Sequence, residues 1–366
     1  MQGGPEDASR IGGLRAGRPA CGTCCPPSAG ETGQPRNDGH LPRSLLETGL
    51  YLAGSSTEIR ADNHAFAPQY PLWSDGAEKR RWLHLPPGTW IDASRPDAWT
   101  FPAGTRLWKE FVYGGRRIET RLIQRRADGS WVYASYLWNA QGSDALLASA
   151  NGVALGLPDV PSRRYEIPSR ADCLACHQGA AVPVLGASAV QLSHAAGSRN
   201  EAVDGLASSD APITDLKTLV DRGLLRNLPS GWLEEPPAIA ARSPTERAAL
   251  GYLHGNCGHC HNHDGAPAAV ALQLAQSAED PEAARRRVLE SAVNARSRYR
   301  PPGMHAEARV IAPGEPDGSV ILRRMQSRNP LVQMPPLGTF AVDRDAIDLI
   351  RSWIATELTN DKESAK

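Results

Sequence analysis

Two short strings constrain this chain more than anything else in it. Cys-Leu-Ala-Cys-His occupies 173–177, and Cys-Gly-His-Cys-His occupies 257–261. Each is C-x-x-C followed at once by histidine, the attachment signature of a c-type haem. The spacing has a chemical cause. The two thiols add across the two vinyl groups of one porphyrin edge, and the short x-x loop lets both sulfurs reach it. The next imidazole then meets the iron as its proximal ligand. From the composition, chance gives such a string in roughly 1 of 10⁵ windows, so two in one chain are not accidental. The strings nominate Cys173, Cys176, Cys257 and Cys260 for covalent attachment of two haem c groups, with His177 and His261 as iron ligands.

Three other readings compete. Two C-x-x-C pairs also suit a structural zinc site. The gap of about 80 residues between them is long for a zinc ribbon, and the paired histidines would have no role. A thioredoxin-type redox pair needs a βαβ setting that the pattern does not show. Plain disulfides are the third reading. Cys21, Cys24 and Cys25 repeat the thiol spacing without a following histidine, so no haem is expected there.

The surroundings of the second string carry more information. Residues 243–254 read as a capped helix, with Ser243 as N-cap, Pro244 in the first turn and Glu246 closing a capping box. Met-Pro-Pro-Leu-Gly-Thr follows at 334–339, and a helix is expected over about 343–358. This order resembles the class I cytochrome c domain over 243–360. The resemblance implies a mainly α-helical region with Met334 as distal ligand opposite His261. It also implies a helix crossing supplied by Gly251, Tyr252 and Trp353. A thioether ligand favours ferrous iron.

The first string lacks that scaffold. Pro161 and Pro168 argue against a long helix leading into it. Its distal ligand is left open between His194 and Met325, with His254, His263, Met304 or an open position as further options. His259 and His263 read as solvent-facing or loop residues, since His261 fills the proximal role.

Elsewhere the composition excludes more than it suggests. Lys+Arg and Asp+Glu are both 40, so a nucleic-acid binder with a basic face is not expected. No apolar run is long enough for a membrane-spanning helix. Residues 1–43 lack an apolar period and are expected to be disordered. They show no signal peptide, although haem attachment in bacteria is completed outside the cytoplasm; the expectation is therefore a natural start upstream, or an atypical chain. Over 44–165, strand-like runs alternate with hairpin signals, Gly114-Gly115 and Asp128-Gly129. That stretch reads as an antiparallel β domain, followed by a first haem segment over 166–242 and the region 243–360. The expected class is α+β, an antiparallel β-rich domain followed by a mainly α-helical cytochrome c-type haem region.

Several segments together resemble an uncharacterised bacterial family of exported dihaem c-type cytochromes. They are Phe-Ala-Pro-Gln-Tyr-Pro-Leu-Trp-Ser-Asp-Gly-Ala at 66–77, Phe-Pro-Ala-Gly-Thr at 101–105, Glu-Thr-Arg-Leu at 119–122, the first C-x-x-C-H string, Val-Leu-Gly at 184–186 with Gln191-Leu192, and Met-Pro-Pro-Leu-Gly at 334–338. The resemblance spans about 44–358. Members are often encoded beside a parallel β-helix protein. It implies electron transfer in the periplasm or beyond, with redox proteins and that β-helix protein as partners. A peroxidase-type enzyme with an open first haem, and a β-domain binding module, are the alternatives.

Overall fold

The computed structural model describes residues 41–158, 160, 162–193, 213–263, 271–300 and 307–358. Most of the segment 1–43, with Cys21, Cys24 and Cys25, lies outside the described residues, as do His194 and Met304.

A six-stranded antiparallel sheet organises the first half. Its strands are β1 (Asn63–Ala65), β2 (Glu78–His84), β4 (Arg106–Tyr113), β5 (Arg116–Arg125), β6 (Trp131–Trp138) and β7 (Ala145–Leu147), paired in that order. Gly114 and Gly115, both at positive φ, turn β4 into β5, and the Asp128-Gly129 turn leads into β6. Side chains alternate across the pleat. One face buries Trp82, Trp108, Leu122 and Tyr136 under Leu45, Leu50 and Tyr51. The other presents Leu83 and Leu107 to the helical elements. A short hairpin of β8 (Val153–Gly156) and β9 (Arg164–Ile167) follows. Strands β3 (Ile91–Asp92) and β10 (Leu225–Arg226) form a small parallel pair.

The helices are short. They are α1 (Arg170–His177), α2 (Ala189–Leu192), α3 (Leu216–Asp221), α4 (Pro244–Asn256), α5 (Pro281–Ala292), α6 (Val320–Gln326) and α7 (Arg344–Thr356). All but α1 share one core with the sheet, which gathers Leu83, Leu107, Leu250, Leu253, Ile350 and Trp353.

The structure corrects the expected fold class at 243–360. This region is not mainly helical and is not a cytochrome c-type helical region. Between its four helices, the described residues of 257–280, 293–319 and 327–343 run largely as turns, bends and isolated bridges. The cause is local: Pro313, Pro316, Pro330, Pro335 and Pro336 fall in these stretches. Each removes an amide donor and clashes with the preceding helical turn. The whole is a sheet-rich fold with short helices laid against one face.

The helix crossing is also built differently. α4 does pack against α7, and the Tyr252 hydroxyl donates to Asp343, the N-cap of α7. Trp353 is fully buried in the shared core. Gly251, however, faces Tyr70 from the segment between β1 and β2; a Cβ there would stand 2.1 Å from the Tyr70 ring. Glu246 departs from the capping-box expectation as well. Ser243 caps the Glu246 amide at 2.9 Å, but the Glu246 carboxylate accepts from the Arg242 amide and pairs with Arg285 at 2.7 Å.

One helical turn beyond Gly251, a Cβ on Gly255 would stand 2.4 Å from the Tyr70 carbonyl oxygen. Backbone cannot rotate out of the way as a side chain can. Gly255→Ala is therefore expected to lower stability by about 1–3 kcal/mol. A urea titration should show an earlier midpoint at unchanged slope.

Candidate functional site

Both C-x-x-C-H strings sit at helix ends. Pro168 stops β9, and α1 starts directly behind it. The Ser169 hydroxyl accepts from the Asp172 amide at 3.1 Å, and the Asp172 carboxylate accepts from the Ser169 amide at 2.9 Å. This reciprocal cap launches a helix of eight residues that carries Cys173, Cys176 and His177. The second string turns off the end of α4. The Cys257 amide donates to Leu253 at 2.9 Å, and the Cys260 and His261 amides both return to the Cys257 carbonyl at 3.1 and 2.8 Å.

The two strings touch. Cys260 Sγ lies 4.0 Å from the Ala175 carbonyl oxygen. Asn262 donates from Nδ2 to the carbonyls of Gly179 and Gly258 at 2.6 and 2.7 Å. A Cβ on Gly179 would stand 2.6 Å from the His259 carbonyl, so only glycine permits this approach.

The two histidines differ in how they are held. His177 Nδ1 lies 2.6 Å from the Pro183 carbonyl oxygen. A carbonyl only accepts, so Nδ1 carries the proton and Nε2 keeps its lone pair. The His177 ring rests on Tyr133 of β6, with centroids 5.1 Å apart. Burial pushes the His177 pKa down to about 4, against the opposing effect of the Pro183 bond. His261 Nδ1 is buried with no hydrogen-bond partner.

All four cysteines are free thiols. Burial raises each of them, Cys173 and Cys260 to about 11 and Cys257 to about 12. They are protonated at neutral pH, unlike the depressed thiols of redox C-x-x-C pairs. Among the described residues, no three His, Cys, Asp or Glu side chains converge to hold a metal ion, which leaves the four cysteines without a zinc geometry. Cys173, Cys176, His177 and Cys257 keep accessible surface although burial dominates their pKa values.

Met334 is half-buried, and its amide donates to the Arg324 carbonyl at 3.0 Å. His261 feels the charge of that same Arg324. Met334 thus adjoins the end of α6. The loop after Met334 is held from the sheet side: the Asp75 carboxylate accepts from the amides of Phe340 at 2.8 Å and Ala341 at 3.0 Å. The Trp-Ser-Asp-Gly turn at 73–76 is therefore an anchor for the methionine loop, a role that a local turn signal cannot reveal. Met325 is 6 % exposed in the shared core. His263 is exposed, whereas His259 is a half-buried residue of the turn after α4, where burial drives its pKa to about 4.

Other contributors gave no sign of their partners in the sequence. Gln191 pairs with Tyr70 as a strand would, its Oε1 accepting from the Tyr70 amide at 3.0 Å and its Nε2 donating to the Tyr70 carbonyl at 3.1 Å. Asn256, next to Cys257, accepts from the Trp73 amide at 2.7 Å and donates to the Pro71 carbonyl at 3.3 Å.

His254 offers a pH test. Its Nδ1 accepts from the Gln276 amide at 3.0 Å, which requires neutral imidazole, and burial holds its pKa at about 4, below the usual 6.5. A depressed pKa means that the unfolded chain binds the proton more tightly. The stabilisation is complete above pH 6.5 and is lost as pH falls towards 4. Chemical denaturation across that window should show falling stability in the parent and a shallower fall in His254→Gln. Compared with known proteins, the chain matches no family model, no curated protein and no solved structure.

Proposed function

We propose that this chain is a dihaem c-type cytochrome that carries electrons outside the cytoplasm. The observation that carries this reading is the state of His177. Its Nδ1 is committed to Pro183, so Nε2 is the free nitrogen, and it shares one short helix with two free thiols. That is what covalent attachment and proximal ligation require of a protein chain. When bound, haem supplies one-electron chemistry at iron; the chain supplies ligands, burial and orientation.

The contact between the strings gives the reading its further content. With residues 175–179 against 258–262, attachment points for two haems adjoin each other, which favours a relay within one molecule. Cys257, Cys260 and His261 serve the second haem, and Met334 is the candidate for its distal position. The resemblance to exported dihaem cytochromes supports the location and the class of partner, namely redox proteins and a parallel β-helix protein. An electron carrier is favoured over a catalyst, because the residues gathered where the two strings meet are those that would attach and ligate haem.

A pyridine haemochrome assay tests the reading on protein matured by an exporting host. Two haems per chain are expected in the parent, and one in each of Cys176→Ser and Cys260→Ser. Zero haems in the parent would rule the reading out.

A further inference from the structure

Positive charge is unevenly placed in a chain whose formal net charge is zero. No Asp or Glu occurs over 318–342, which holds Arg323, Arg324 and Arg328, and none over 291–300, which holds Arg296, Arg298 and Arg300. The fold brings these two stretches together. The Arg324 guanidinium lies over the Tyr299 ring, 4.9 Å from its centroid, while its Nε donates to the Val332 carbonyl at 2.8 Å. One arginine thus ties α6 both to the segment after α5 and to the loop that leads into Met334.

The bordering acids are already engaged. Glu307 pairs with Arg296 at 2.5 Å and with Arg309 at 3.1 Å, and Asp317 pairs with Arg351 at 2.9 Å. Arg298, Arg300 and Arg323 are exposed, and among the described residues no carboxylate pairs with them or with Arg324. Arg328 differs, since the charges of Asp75 and Asp343 act on it.

Two leucines project from the same loop. Leu331 is 87 % exposed and Leu337 is 42 % exposed. Both turns are pinned. The Leu331 amide donates to the Asn329 side chain at 3.0 Å, and the Val332 and Gln333 amides both donate to the Asn329 carbonyl at 2.8 Å. Gln333 Nε2 donates to the carbonyls of Pro335 and Thr339 at 3.1 and 3.4 Å, which closes a second turn that carries Leu337. Single exposed leucines are ordinary; two on adjacent pinned turns, beside unpaired cations, are not.

Shape decides between partners. A deformable anionic surface takes up a projecting leucine without a matching pocket, whereas a protein partner would need one. Affinity for such a surface grows with the apolar area inserted and with the attraction between basic side chains and anionic headgroups.

We propose that the loop 329–338, with Arg298, Arg300, Arg323 and Arg324 beside it, is a docking surface for an anionic phospholipid bilayer, into which Leu331 and Leu337 insert. The surface needs no haem and is independent of the dihaem reading. Where that reading holds, docking turns the Met334 loop towards the membrane.

The test is co-sedimentation of the full-length protein with phosphatidylcholine vesicles, with and without phosphatidylglycerol. The parent should bind the mixed vesicles, ignore pure phosphatidylcholine and lose most of its binding as salt rises. Arg298→Gln combined with Arg300→Gln should weaken binding roughly tenfold or more. Leu331→Ser combined with Leu337→Ser should also weaken it, with the salt dependence retained. Arg43→Gln combined with Arg60→Gln removes the same charge from the segment over the other face of the sheet and should bind as the parent does. All the substituted side chains are exposed, so each variant should keep the parent's circular dichroism. A parent that ignores the mixed vesicles, or a control pair that loses as much binding as the Arg298 and Arg300 pair, would overturn the proposal. Capture of the parent by polyglutamate without vesicle binding, lost in the same arginine pair, would overturn the bilayer in favour of an acidic protein.

Discussion

Seven residues between β1 and β2 hold this molecule together. The stretch 69–75 pairs with Gln191 after the first string, with Asn256 at the root of the second, and with Phe340 and Ala341 after Met334. Each contact satisfies backbone groups that would otherwise be buried unpaired, at a cost of about 1–3 kcal/mol apiece. Gly251 and Gly255 leave the groove on α4 into which Tyr70 fits. Because one strap fastens three separate segments, the positions of both strings and of the methionine loop depend on the same short piece of chain.

The strap also explains why a sheet sits beside a candidate redox site. Its far end continues into β2, the strand that carries Lys79 and Arg81. The sheet is thus both the support for α1, through Tyr133, and the source of the charges that face it. The two strings, the strap and the cationic row form one connected structure, with the cysteines and histidine of α1 beside the sheet face that carries Lys109 and Arg121.

Much of this was legible in the sequence where the signal is local. The strands β4, β5 and β6 lie where glycine and aspartate turns bounded alternating runs, and α4 begins at the Ser243-Pro244 cap. The strings themselves could be read outright. What misled was order of motifs taken as fold: helix, C-x-x-C-H, Met-Pro-Pro and helix occur in the expected sequence, yet proline-rich stretches between them keep the region from being mainly helical. Gly251 misled for a related reason, since a small residue on a helix says that something approaches closely, not what approaches. The roles of Asp75, Gln191 and Asn256 were hidden because their partners lie more than 100 residues away. No periodicity or spacing reports such pairs.

The account stands on covalent haem at both strings, and peptide mass spectrometry of the exported, matured protein tests that directly. After proteolysis, the peptides that contain 173–177 and 257–261 should each carry the added mass of one haem, bound through both cysteines. Recovery of both peptides with unmodified thiols, from a host that matures a control c-type cytochrome in the same cells, would contradict it.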